Sequence, residues 1–264
     1  MYRSFDYTAN DRLQSTEASV TATPCTLATW AWPAPDAPAS TIMNIMEVCN
    51  AVTSVSNARN RFQLQRSATD KLVALTGAAG GSSAATSAAS MAVGVWAHCA
   101  GVYASATSRI AYLDGVSASN GTSRVPAGIT HTNIGIALND TSTLSIPWQG
   151  MFRYAAIWNE ALTADEVKAL AAGKHPRLIR PANLMDCWAL DDKTRSFASN
   201  FVSRYPLTAA GTRLVSGPEL RATGVTYKRA NIYSFPQAAA GTGITSVPLA
   251  GPSGRLAGRG GLAA

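Results

Sequence analysis

A glycoside hydrolase needs two carboxylates flanking its sugar, about 5–10 Å apart. Glu47 lies in a strand-like run, Thr41–Val48, and has no acidic partner two or four residues on. Asp165 and Glu166 open a helix, where capping and the helix dipole account for them. Asp191 and Asp192 fall in a turn. His98 sits in an apolar run, and His131 and His175 in turn regions, none beside a Ser/Asp motif. Cys25, Cys49, Cys99 and Cys187 form no CxxC pair and no metal spacing with the histidines, so they read as buried free thiols. Calcium would take oxygen ligands from Asp114 or from Asn139 and Asp140, but turn chemistry explains all three. Gly77–Gly81 lacks the Lys and Ser/Thr of a phosphate loop and reads as a turn. What remains is stacking. Of Trp30, Trp32, Trp96, Trp148, Trp158 and Trp188, most fall on strand patterns. Trp32, beside Pro33, is the best candidate for exposure, and with Asp140 it makes the candidate ligand-binding pair. The expectation is a binding protein with no enzymatic activity, no metal and no cofactor.

The elements that must position these residues are strands. Cys25–Trp32 alternates and is rich in Thr and Trp; Thr41–Val48, Asn60–Leu64, Leu72–Leu75, Met91–Tyr103, Asn133–Leu138 and Gly150–Trp158 follow. Arg109–Leu113 runs into Asp114-Gly115, a hairpin signal, with Val116–Ser119 as the return strand. Ala84–Ala92 is small and weakly patterned, and reads as a loop running into a strand. One helix is marked by a capping box, Thr163 with Glu166; Val167, Leu170 and Ala171 give its apolar face and Gly173 its end. Short strands at regular spacing argue for a sandwich or jelly roll.

Charge is unevenly spread. The chain has 264 residues and a formal net charge of +7. Arg221, Lys228, Arg229, Arg255 and Arg259 follow Glu219, the last acid, and leave two of the seven excess charges to everything before them. That near-neutral main part excludes a dedicated nucleic-acid fold. Charged residues make up 14% of the chain, low enough to fit a surface partly covered by other protein. No run is long and apolar enough for a membrane helix, and Met1–Asp6 leads into polar sequence without a secretory pattern. From Gln237 the chain is Ala, Gly, Ser, Thr and Pro with isolated Leu249 and Leu256 among few large apolar residues. Alone, such a tail would not fold. Extended, its 28 residues reach roughly 90 Å, which suits an arm laid on a neighbouring subunit.

Several motifs together resemble laminin-G-like, concanavalin-type jelly rolls. Trp96–Tyr103 (WAHCAGVY) with Arg109–Gly115 (RIAYLDG) is similar to that family's WHHVAGVYD…LYVDG core. Ile134-Gly135 and Trp30 fit flanking strands, and Trp148–Val167 fits the segment that leads into the family's short helix. The likeness covers about residues 5–175. It implies an all-β, concanavalin-like jelly-roll sandwich with one short helix and an extended C-terminal arm. Two departures stand out. Ala97 replaces one family histidine, and Arg153-Tyr154 replaces an acidic pair that often helps to bind calcium. The glucanase Glu-x-Asp-x-x-Glu run is missing. Leu184–Leu220 resembles the tail of laminin-G-like proteins encoded by tailed bacteriophages.

These readings give three segments: a sandwich over 1–180, a β-rich extension over 181–236 packing on or beside it, and an arm over 237–264. The resemblance implies a bacteriophage virion structural protein made in the host cytoplasm, in the first place a capsid decoration or head-surface accessory protein. Its expected partners are other virion proteins and copies of itself, held through Arg221, Lys228, Arg229, Leu249, Arg255, Leu256 and Arg259, with no membrane and no specific nucleic acid. The alternative is a carbohydrate- or receptor-binding module of a phage tail or fibre.

Overall fold

A computed structural model describes residues 2–50, 59–138, 144–190, 197–198, 207–210 and 213–215. In chain order these hold β1 (Tyr2–Phe5), β2 (Arg12–Ser15), β3 (Cys25–Pro33), β4 (Met43–Cys49), β5 (Arg61–Arg66), β6 (Lys71–Ala78), β7 (Gly81–Ser90), β8 (Ala97–Ser105) and β9 (Ser108–Leu113). They continue with β10 (Val116–Asn120), β11 (His131–Ile134), β12 (Ala137–Leu138), β13 (Leu144–Ser145), β14 (Gly150–Trp158), α1 (Ala164–Ala171), β15 (Leu184–Trp188), β16 (Phe197–Ala198), β17 (Leu207–Ala210) and β18 (Arg213–Val215). One antiparallel sheet, here the first, runs β10-β9-β8-β3-β14-β1-β18, with β15 beside the second half of β14. The second runs β16-β17-β2-β11-β4-β5-β6-β7. The two stack as a jelly-roll sandwich.

Alternation along each strand decides which side chains enter the core. Leu27 and Ala31 of β3, Cys99 of β8, Ala111 and Leu113 of β9, and Phe152, Ala155 and Ile157 of β14 point inward. They meet Leu13, Met46, Val48, Phe62, Leu64, Leu72, Ala74 and Ile134 from the second sheet. Trp148 stacks on Phe152 at 4.9 Å, and Phe5 meets the same ring edge-on at 4.9 Å. Each such ring contributes roughly 1.5–3 kcal/mol by leaving water. The backbone at Gly135, with φ +81, passes so close to Phe5 that a β-carbon would sit 2.3 Å from the ring. All four cysteines are buried and unpaired with one another.

Half of the first sheet's outer face is covered. Thr163 caps α1 by accepting from the Glu166 backbone, and Glu166 accepts from the Thr163 N–H at 2.8 Å. Val167 and Leu170 of α1, with Leu162 and Ile179, pack on Ala28, Ala100, Val102, Tyr112, Ala156 and Trp158. The other half of that face is left to a different set of residues.

Some elements depart from the sequence reading. Asn133–Leu138 divides into β11 and β12, which belong to different sheets, and β8 begins at Ala97 rather than at Met91. Ala84–Ala92 is not a loop: residues 84–90 belong to β7, which pairs with β6 from Lys71↔Ser90 to Ala78↔Gly81. Small Ala, Ser and Thr side chains give little apolar alternation, yet they fit an edge strand whose inward positions, such as Ala85 and Ser87, are buried. The strands after residue 180 join both sheets: β15 pairs with β14, β17 with β2 and β18 with β1.

Candidate functional site

The uncovered half of the first sheet's outer face is aromatic. Trp30 and Trp32 alternate outward from β3, opposite Arg153 and Met151 of β14. Tyr2, Trp30, Trp96 and Met151 form a buried cluster, with Trp32 and Tyr154 packed against it and half-buried. Beyond it lies an edge-on contact between Trp30 and His98, 5.3 Å apart. The six tryptophans sort by burial: Trp148, Trp158 and Trp188 are wholly enclosed, Trp30 and Trp96 nearly so, and Trp32 keeps an accessible side. The Trp32 indole nitrogen is buried and has no hydrogen-bond partner among the described residues.

A bulge shapes this surface. Arg153 pairs with Trp30 and Ala156 with Ala28, so two residues of β14 stand against one of β3. The extra residue is Tyr154, whose φ of +53 is a backbone region that bulky residues avoid. Thr29 Oγ1 donates to the Arg153 carbonyl at 3.2 Å, and the Tyr154 N–H donates to the Ala189 carbonyl at 3.2 Å. Those two bonds hold the kink. Its effect is to put Arg153 and Tyr154 side by side. The Arg153 guanidinium lies 4.5 Å from the Tyr154 ring centroid and 5.5 Å from that of Tyr2, and Nη2 donates to Tyr154 Oη at 2.7 Å. Tyr2 meets Trp96 at 4.8 Å and Tyr154 meets His175 at 5.0 Å. The result is a continuous ladder: Trp96, Tyr2, Arg153, Tyr154, His175.

The neighbouring loop adds apolar surface. Val93 and Val95 are about half exposed, at 46% and 56%, and the Gly94 N–H donates to the Pro33 carbonyl at 2.8 Å beside Trp32. His98 beneath the cluster is 2% exposed, and burial pushes its pKa down to about 3, so the ring stays neutral.

The outer face of the second sheet carries a polar group that sequence reading missed. Glu47 accepts from Arg59 Nη2 at 2.5 Å and from Asn133 Nδ2 at 3.0 Å, and Gln63 donates to Asn44 Oδ1 at 2.9 Å. Asn44, Glu47, Gln63 and Asn133 are all fully buried. The partners come from strands and loops far away in sequence, so a search at i+2 and i+4 could not find them. The carboxylate is committed to its own chain, as an ion pair and a polar network rather than as a free acid.

Of the other candidates, Asp114 takes the turn role expected of it and the rest fall outside the described residues. Asp114 Oδ1 accepts from the His98 backbone N–H at 2.7 Å and closes the β8–β9–β10 turn, which is what an Asp-Gly hairpin residue does. Among the described residues no group of three or more His, Cys, Asp or Glu could hold a metal ion. Asn139 and Asp140 lie outside the described residues, so Trp32 is not shown beside Asp140. Asp191, Asp192, Arg221, Lys228, Arg229, Leu249, Arg255, Leu256 and Arg259 lie outside them too.

Two antiparallel sheets with one helix laid on an outer face define a jelly-roll sandwich of the concanavalin type. Residues 7–168 match the family model described as the concanavalin A-like lectin/glucanases superfamily, and the chain belongs to that family. No curated protein matches the chain. Among solved structures it resembles a candidate carbohydrate binding protein from Bacteroides ovatus ATCC 8483, at 15% identity and a TM-score of 0.57 over 83% of this chain and 61% of that one. It resembles tailspike protein 2 of the Escherichia coli O157:H7 bacteriophage CAB120, at 18% identity and 0.52 over 71% of this chain and 26% of that one. A heptameric SAP-like pentraxin from Limulus polyphemus is also similar, at 17% identity and 0.50 over 67% of this chain and 83% of that one. At these identities the likeness is one of fold. The chain spans less than two thirds of the Bacteroides structure and about a quarter of the tailspike structure.

Proposed function

We propose that this chain is a non-catalytic carbohydrate-binding module carried on a bacteriophage particle, with its ligand seated on the Trp32–Arg153–Tyr154 face. The observation that carries the reading is the bulge at Tyr154. It costs backbone strain of order 1–3 kcal/mol, and its product is a cation and an aromatic ring set side by side on an outer sheet face. Half-buried aromatic side chains suit the apolar face of a pyranose, and strain of this kind clusters at ligand sites. Membership of a lectin-bearing family supports the same reading. The commitment of Glu47 to Arg59 and Asn133 speaks against a hydrolase role.

The test is a glycan array followed by calorimetry on Trp32→Ala and Tyr154→Ala. Each substitution should weaken the best ligand at least about tenfold, the scale of a binding hot spot, while the fold is kept. An array with no response, or a ligand whose affinity ignores both substitutions, refutes the site. The particle assignment draws on the phage-like segment Leu184–Leu220 and on the acid-free chain after Glu219. In this reading Arg221, Lys228, Arg229, Leu249, Arg255, Leu256 and Arg259 anchor the module to neighbouring virion subunits. Removing 237–264 should lower its occupancy on particles; unchanged occupancy rules that anchor out.

A further inference from the structure

We infer that the glycan held on this face is an acidic one, a pyranose bearing a carboxylate, and that Arg153 receives that carboxylate while Trp32 and Tyr154 take the ring. The inference rests on the carbohydrate-binding reading and adds the ligand's charge to it.

Three buried arginines, Arg59, Arg66 and Arg109, show how this protein satisfies a guanidinium, whereas Arg153 is half-buried. Arg59 is paired with Glu47 and Arg66 with Asp70. Arg109 has no carboxylate but spends its nitrogens on Thr76, Ser83, Asn120 and the carbonyls of Ala106 and Thr122. Arg180, on the surface, lies between Glu160 and Glu166. Arg153 has none of this. Nη2 donates to Tyr154 Oη, Nε is buried without a hydrogen-bond partner, and Nη1 makes no hydrogen bond among the described residues. Among the described residues no ion pair involves it. A guanidinium carries five N–H donors, and removing them from water without acceptors is costly.

Its surroundings hold it still. The rings of Tyr2 and Tyr154 attract the cation and the Tyr154 hydroxyl fixes one nitrogen, so the planar fork loses little further freedom on binding. A planar carboxylate is the group that such a fork matches, in one or two parallel charge-assisted bonds. The cluster around it supplies no competing charge: Trp30, Trp96 and Met151 are apolar, and His98 stays neutral.

The experiment is isothermal calorimetry with matched probes. Tri-galacturonate is compared with its methyl ester, and 3′-sialyllactose with lactose, on the wild-type chain and on Trp32→Ala, Arg153→Gln and Arg153→Lys. Circular dichroism and melting temperature establish that each variant is folded. The expectation is at least a tenfold preference for one carboxylated probe over its neutral partner. Arg153→Gln should remove the preference, Arg153→Lys should keep part of it, and Trp32→Ala should weaken both members of a pair. Added salt should weaken the acidic probe selectively. Equal affinity within every pair, or a preference that survives Arg153→Gln, overturns the acidic-glycan inference while leaving the carbohydrate site standing. Failure of every probe to bind overturns the inference, and together with a silent array it removes the carbohydrate site as well.

Discussion

His98 ties the stability of this sandwich to pH in a way that can be worked out. The ring is 2% exposed, its Nδ1 has no partner, and burial pushes its pKa from 6.5 down to about 3. The unfolded chain therefore binds a proton below pH 6.5 that the folded chain refuses until about pH 3. Stability is full above the unfolded value and is lost as pH falls toward the folded one. Between about pH 7.5 and about pH 4.5 this one residue removes roughly 2.6 kcal/mol, with a slope that approaches about 1.36 kcal/mol per pH unit only well below the unfolded pKa. Asp114, raised by burial, shifts the balance the other way, and His131, lowered by burial, shifts it the same way. Both are shared by a His98→Leu variant. Urea unfolding of the two proteins at both pH values isolates the term: the variant should lose roughly 2–3 kcal/mol less than the wild type on acidification. Parallel pH curves for the two proteins would refute the buried neutral imidazole.

Two further substitutions probe the frame. Glu47→Gln leaves the Arg59 charge enclosed without its counter-ion, and denaturant unfolding should show a loss of about 3–5 kcal/mol; a loss under about 1 kcal/mol would mean the pair is open to water. Gly150→Ala puts a β-carbon 2.0 Å from the Trp32 carbonyl at a φ of +141, so β3 and β14 must part there. The melt should fall by the equivalent of at least ~3 kcal/mol, and glycan binding should fall with it; wild-type stability would refute the close approach.

Much of this architecture is written in local pattern. The Asp114-Gly115 hairpin, the Thr163 capping box and the alternation of Cys25–Trp32 each follow from a few adjacent residues. β7 escapes because Ala and Ser give no contrast between its two faces. Glu47 escapes for a different reason: Arg59 and Asn133 are brought to it by pairing between strands, 12 and 86 residues away. The bulge left a faint mark. Inward positions of β14 run 152, then 155 and 157, a slip in parity that a strict period-2 reading of Gly150–Trp158 smooths over.

That slip falls on two of the residues where the chain departs from the family pattern. Acids at 153 and 154 would face Tyr2 and its neighbours with negative charge, and ring faces repel anions. Arginine and tyrosine there do the reverse: the cation is attracted to both rings, and the hydroxyl takes one of its nitrogens. Those contacts offset part of the strain at Tyr154, but a regular strand with the same two residues would carry no strain to offset. What a regular strand cannot do is set position 154 beside 153 on one face, because alternation sends neighbours to opposite sides. The kink is therefore best understood by its product, an unpaired guanidinium framed by rings, and the charge of whatever binds there is the property most directly exposed to measurement.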